Sequence, residues 1–218
     1  MSRIVQRDIP CPHCGASQDF SFYEIVNVQE NPELKSRVLD GSIFDLKCKQ
    51  CHQSSRVGYP MLYHDPQRRG MFIMTDEDEA DHVLGLVDFL TSGGLLPRDM
   101  NIRLRAVHQP PELAEKVTLL EHDLDDRVIE LMKNELREAY RRLRHREAGM
   151  ISVIEGDPLC FAVMPSPDAM PELVPVQKEH YKELLQQNEP FFSLDPADNL
   201  FVDEQWVTEL LTPNAVLH

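Results

Sequence analysis

Two cysteine pairs of identical spacing, CPHC at residues 11–14 and CKQC at 48–51, take four of the five cysteines in this 218-residue chain. A C-x-x-C turn offers two thiolates from one tight loop. A tetrahedral ion with metal–sulfur bonds of about 2.3 Å needs two such turns to fill its shell. Whatever the chain folds into must therefore bring residues 11–14 and 48–51 onto one point. The predicted ligands are Cys11, Cys14, Cys48 and Cys51, holding one structural zinc ion. A filled four-sulfur shell has no position open to water or substrate, so the expected metal is structural and not catalytic. Iron, or a disulfide or thiol redox centre, are the rival occupants of the same residues. A thioredoxin-like C-x-x-C fits poorly, because no βαβ pattern surrounds Cys11 and one redox pair has no use for a second.

The flanking residues suit the turns. Pro12 stiffens the first loop, and Gly15 follows its second thiol, where backbone of positive φ is often required. His52 stands at the equivalent place in the second loop, and His enters the left-handed region more readily than most residues with a Cβ. Lys47 and Lys49 flank Cys48 and could offset the net −2 charge of four thiolates on a dication. The fifth cysteine, Cys160, lies in the apolar run PLCFAVM and is expected as a buried core thiol.

The start of the chain lacks the apolar run of a secretory signal, and no stretch approaches the roughly 18 unbroken apolar residues of a membrane span. The expected compartment is the cytoplasm, where thiols stay reduced. The formal net charge is −15 and is unevenly spread. Residues 76–97 carry six acids and no Lys or Arg, and residues 147–218 carry 13 Asp or Glu against 2 Lys or Arg. Such a chain repels a polyanion.

Hydrophobic patterning gives an α+β protein: an N-terminal β unit with an inserted helix, which the two cysteine pairs make zinc-ribbon-like, followed by helices and a β-hairpin. FSFYEIVNV (20–28) is rich in aromatic and β-branched residues and reads as a strand. NPELKSRVLDG (31–41) reads as a short helix capped by Asn31 and stopped by Gly41. SIFDLKC (42–48) reads as a strand, and residues 54–75 as a hairpin turning at DPQRRG. Thr75 and Asp78 suggest a capping box for a helix running to about Leu90, with Val83, Leu84, Leu86, Val87 and Leu90 on its apolar face and Gly93-Gly94 as its stop. Residues 101–108 alternate like a half-buried strand. A short helix follows from Pro111, then a long one from about Asp125 to Arg146 with Val128, Leu131, Met132, Leu136, Ala139 and Leu143 as its stripe. Residues 150–164 read as a second hairpin, and 175–187 and 203–211 as helices. The expected domains are 1–146, with its ribbon part at about 9–75 and its helical part at about 76–146, and an acidic α/β extension at 147–218.

The order of CPHCG, CKQC, YPMLYHDPQRRGMFI and LRAVHQPPELAEKVTLLEHDLDDRVIELMK resembles the CpXC domain family, a group of mainly bacterial proteins named for their paired cysteine motifs. The resemblance covers roughly residues 9 to 135. It implies a zinc-ribbon fold and assigns no activity.

Other clusters of polar residues offer further candidate sites. HDLDDRVIE gathers His122, Asp123, Asp125, Asp126 and Glu130; the last two stand one helical turn apart and could hold Mg²⁺. The plainer account is that Asp123 or Asp125 caps the long helix and Asp126 favours its positive end. In YHDP, His64 and Asp65 are adjacent on a strand and point to opposite faces, so a dyad is disfavoured and Asp65 starts the turn. RRLRHR (141–146) is the densest basic run, and cations complement a helix C-terminus. Phe191, Phe192, Phe201 and Trp206 stand among acids, as docking residues or as groups packed back on the body. No G-x-S-x-G, Walker loop, H-E-x-x-H or dinucleotide fingerprint is present. The expected function is a protein-interaction or adaptor module with an unidentified protein partner, with neither nucleic acid nor membrane as ligand and no catalytic residues. The alternatives are a nucleic-acid-associated zinc ribbon and an enzyme using the His122, Asp125 and Asp126 region.

Overall fold

The computed structural model describes residues 1–92, 102–144, 150–154, 159–164 and 170–212. Two compact units share the chain: Met1–Val117 with Leu194–Leu200, and Thr118–Ser193 with Phe201–His218. The class is α+β, as the patterning implies. Neither division between the units coincides with residue 146.

The first unit is built on a five-stranded mixed sheet. Its strands are β1 (Arg3–Pro10), β2 (Ser17–Asn27), β5 (Met61–Asp65), β6 (Gly70–Met74) and β7 (Arg103–Val107), in the order β1-β2-β5-β6-β7. β1 and β2 form an antiparallel hairpin, β2 and β5 run parallel, β5 and β6 are antiparallel, and β6 and β7 run parallel. The β1 strand carries Ile4, Val5 and Ile9 without the alternation that marks a strand in the sequence; it is fixed by pairing with β2 over its whole length. Between β2 and β5 lie α1 (Glu33–Leu39), a 3-10 turn at Ser42–Phe44, and a two-stranded ribbon of β3 (Asp45–Lys47) and β4 (Ser54–Arg56).

Period-2 alternation positions the core. Met61 and Tyr63 of β5 and Phe72 and Met74 of β6 are buried, and the Tyr63 and Phe72 rings stack at 5.8 Å between centroids. Leu34 and Val38 of α1, Val26 of β2 and Val28 just after it add to it. Burying each such side chain contributes about 1.5–3 kcal/mol relative to leaving it exposed. Asp65 is buried at the β5–β6 turn, as the turn reading requires. Its Oδ1 accepts from the Arg68 N–H at 3.1 Å and its Oδ2 faces Lys35 Nζ at 3.4 Å. Arg105 is buried on β7, where Nη1 donates to the Leu104 carbonyl at 2.7 Å. The Ala106 N–H donates to the carbonyl of Leu200 at 2.6 Å, so residues 194–200 return to cover β7. Leu104–Val107 are all buried instead of alternating, so both faces of β7 are covered.

Several expectations fail here for local reasons. Residues 42–44 form a 3-10 turn, not a strand, because Gly41 enters the left-handed region (φ 76°) and redirects the chain. Residues 54–56 pair with β3 and do not extend the β5–β6 hairpin. Asn31 does not cap α1 through its side chain: Pro32 holds the cap position, and Asn31 Nδ2 donates to Glu33 Oε1. Thr75 forms no capping box. Its N–H donates to the Val107 carbonyl, which ends the ladder, and a 3-10 turn at Glu77–Glu79 precedes α2 (Ala80–Ser92). Of the expected stripe on α2, Val87 is buried, Val83 is half-buried, and Leu84 and Leu86 are exposed. The Gly93-Gly94 stop lies outside the described residues.

Helix α3 (Pro110–Glu121) leads into the second unit. There, α4 (Asp126–Arg144) packs against an antiparallel sheet of β8 (Met150–Ile154), β9 (Leu159–Met164) and β10 (Glu172–Val176), in the order β10-β9-β8. α5 (Lys178–Asn188) and α6 (Glu204–Leu211) complete it. Val128, Ile129 and Met132 of α4 meet Leu159, Phe161 and Val163 of β9, with Tyr181, Phe192 and Val207 around them. Leu143, expected in the stripe, is exposed. Cys160 alternates away from Leu159 and Phe161 and is half-buried, so it is not the core thiol expected of it. β10 occupies residues read as the start of a helix; its pairing with β9 fixes it as strand. Trp206 packs back onto Phe192 at 5.9 Å, while Phe191 stays exposed. Among the described residues no helix is long and apolar enough to cross a membrane.

Candidate metal centre

Each cysteine pair sits at the tip of a hairpin, and the two tips are built alike. The first turn joins β1 to β2 where Pro10 faces Ser17; the second joins β3 to β4 where Lys47 faces Ser54. In the first, the Cys11 N–H donates to the Ala16 carbonyl and the Gly15 N–H to the Cys11 carbonyl, both at 2.9 Å. In the second, the Cys48 N–H donates to the Gln53 carbonyl at 2.9 Å and the His52 N–H to the Cys48 carbonyl at 3.1 Å. Gly15 and His52 close these turns with φ of 71° and 59°, as the spacing anticipates.

The repeated geometry aims four sulfurs at one point. Cys11 Sγ lies 3.8 Å from Cys51 Sγ, and Cys14 Sγ lies 3.7 Å from Cys48 Sγ. All four sulfurs fall within 4.8 Å of one another. A tetrahedral ion with bonds of about 2.3 Å separates its sulfurs by about 3.8 Å, so the residues fit such an ion. Disulfide sulfurs would lie about 2.05 Å apart, and all five cysteines are free thiols. Both close sulfur pairs join one turn to the other, so an ion held here pins the two hairpins together. Among the described residues this is the one group of three or more His, Cys, Asp or Glu whose ligand atoms converge in this way.

Backbone N–H groups point at two of the sulfurs. His13 N lies 3.4 Å from Cys11 Sγ, and Gln50 N and Cys51 N each lie 3.4 Å from Cys48 Sγ. The Cys51 N–H acts first, working against burial and joined by the Gln50 N–H and the neighbouring thiols of Cys51 and Cys11, to pull the Cys48 thiol down to about 6. Cys51 goes the other way: the Gln53 N–H lowers it, but burial and the sulfurs of Cys48, Cys14 and Cys11 push it up to about 12. Thiols this close cannot all ionise without a cation between them. A dication removes that conflict, and its binding displaces the protons. Gln18 braces the second turn, its Oε1 accepting from the Lys49 N–H at 2.8 Å; this link across 31 residues had no signal in the sequence. The side chains of Lys47 and Lys49 are exposed.

Elsewhere the polar clusters resolve into structural roles. Asp125 Oδ1 accepts from the Arg127 N–H at 2.9 Å, capping α4, and its carboxylate pairs with the Arg127 guanidinium at 2.6 Å. Asp126 is buried in the first turn. Glu130 pairs with Lys133 at 2.7 Å, both buried, so its carboxylate is already engaged. Asp123 turns the chain with φ of 52°, and His122 is exposed. His64 and Asp65 alternate across β5, with Asp65 committed to the turn. Arg141 pairs with Glu138, and Arg142 Nε donates to the Glu138 carbonyl; Arg146 lies outside the described residues.

No curated protein and no solved structure matches the chain. The family model described as CpXC protein matches residues 9–133, from just before the first cysteine pair into α4. That match spans more than half of the chain and contains the whole sulfur cluster, so the chain belongs to the CpXC family.

Proposed function

We propose that Cys11, Cys14, Cys48 and Cys51 hold one zinc ion as a structural pin, and that the protein is an interaction or adaptor module, working in the cytoplasm where thiols stay reduced. The observation that carries this is the closed donor set. Four sulfurs, spaced like the edges of a metal–sulfur tetrahedron, leave no ligand position for water or substrate. Asp125, Asp65 and Glu130, the carboxylates of the other polar clusters, are engaged as helix cap, turn and buried ion pair. When bound, zinc supplies only charge and geometry here: it neutralises thiolates and holds the two hairpin tips together.

Metal analysis of protein freshly purified under reducing conditions is expected to give one zinc per chain. Tetrahedral iron–sulfur absorption would replace zinc by iron, and two disulfides with no metal would overturn the pin. The module reading is tested by affinity capture from native lysate. A partner should be retained by the parent and lost by Cys48→Ser. Catalytic turnover that tracks metal content would overturn it.

A further inference from the structure

Helix α2 exposes apolar surface beside a dense acidic flank. Leu84, Leu86 and Phe89 are 38%, 50% and 66% exposed, while Val87 is buried. Helical spacing puts His82, Leu86 and Phe89 on one outward stripe. Gly85 lies beside it, one turn before Phe89. Glycine weakens a helix interior and is kept where backbones must approach closely. Yet a Cβ built on Gly85 meets nothing within 4 Å, so packing within the described chain does not account for it. On the far side of Gly85, Asp81 and Asp88 stand two turns apart on one line. Asp76, Glu77, Asp78 and Glu79, just before the helix, are all exposed as well. From residue 76 to 92 there are six acids and no Lys or Arg.

We propose that this face of α2 docks a basic amphipathic helix of a partner protein. The inference rests on the interaction-module reading and names the face used. The partner's apolar ridge lies over Leu86 and Phe89, its backbone comes close at Gly85, and its Lys or Arg edge meets Asp81, Asp88 and the acids before the helix. Charge selects the occupant. A second copy of the chain would set acids against acids, and an anionic lipid surface or nucleic acid would be repelled by the same residues.

The test uses the full-length, metal-loaded protein and a labelled synthetic Leu/Lys amphipathic helix of about 18 residues, with a Leu/Glu helix of the same pattern as control. Fluorescence anisotropy at physiological salt should show binding of the Leu/Lys helix alone. The double variant Leu86→Ser/Phe89→Ser keeps the net charge and should weaken binding by at least about tenfold. Gly85→Leu should do the same. Asp81→Asn/Asp88→Asn should weaken binding and flatten its dependence on salt. Phe191→Ser, at an exposed aromatic elsewhere, should bind like the parent. All the substituted side chains are at the surface, and unchanged thermal melts verify that the variants are folded. If the charge-neutral double variant binds like the parent, attraction is merely to the acidic chain as a whole and the proposal fails. It fails too if no peptide binds, or if sedimentation shows a dimer that the double variant abolishes. If a partner captured from lysate is still retained by the double variant, the module reading stands and this face is not its site.

Discussion

At residue 52 the chain places a histidine where its twin turn has a glycine, and both adopt left-handed backbone. That conformation costs a residue with a Cβ about 1–2 kcal/mol. His52→Gly should therefore be neutral or stabilising by up to about 1 kcal/mol, whereas Gly15→Ala should destabilise by about 1 kcal/mol; urea titrations of the two variants check the contrast. The ligands behave differently. Metal-binding energy at a structural site is folding energy, so Cys48→Ser should lose several kcal/mol, lower the melting temperature sharply and make it insensitive to chelator. Cys160→Ser, half-buried on the face of β9 turned away from the core, should cost under about 1 kcal/mol. Protons compete with metal for the same sulfurs. The Cys48 thiol, lowered to about 6, supplies a thiolate above that pH and loses it below. Its own contribution to folding runs the same way: full above the ordinary thiol value and lost as pH falls through about 6. Uptake of zinc by metal-free protein should thus drop steeply between about pH 7 and about pH 5, followed with a zinc-responsive dye.

Elements whose identity rests on local pattern were legible in the sequence. The helix α4, the strand β2 and the β5–β6 hairpin carry strong periodicity or turn residues, and the two cysteine turns declare their own geometry through spacing and Gly15. The unforeseen elements owe their form to partners distant in sequence. β1 has apolar residues without alternation and becomes a strand by pairing with β2, β10 by pairing with β9, and β7 is buried at four successive residues instead of alternating. Asp65 shows how a turn residue can hold elements together. Its carboxylate meets both the Arg68 N–H at the hairpin turn and Lys35 on α1. Asp65→Ala removes the acceptor of the Arg68 N–H and the carboxylate that faces the largely covered ammonium group of Lys35. A loss of about 2–4 kcal/mol is expected in denaturant unfolding, and Lys35→Met should offset part of it in the double variant.

For the whole molecule, the division into units matters more than the family boundary. A chain ending at residue 146 lacks Leu159, Phe161 and Val163, which cover Val128, Ile129 and Met132 of α4. Each exposed side chain forfeits about 1.5–3 kcal/mol, so this fragment should be insoluble or bind a hydrophobic dye, although it contains every residue of the family match. The net charge of −15 acts over the same scale: duplex DNA should bind weakly or not at all at physiological salt. A tight, steeply salt-dependent complex lost with Arg141→Ala/Arg142→Ala would overturn that expectation. The Ala106–Leu200 hydrogen bond carries a different implication, one of timing. A ribosome makes β7 long before it makes the segment that covers it. The nascent first unit therefore holds an uncovered strand while residues 118–193 of the second unit are being synthesised. A chaperone, or a protease, has that interval in which to act, and a stalled or truncated chain keeps its sulfur cluster and all five strands but leaves the edge of β7 without the segment that bonds to it.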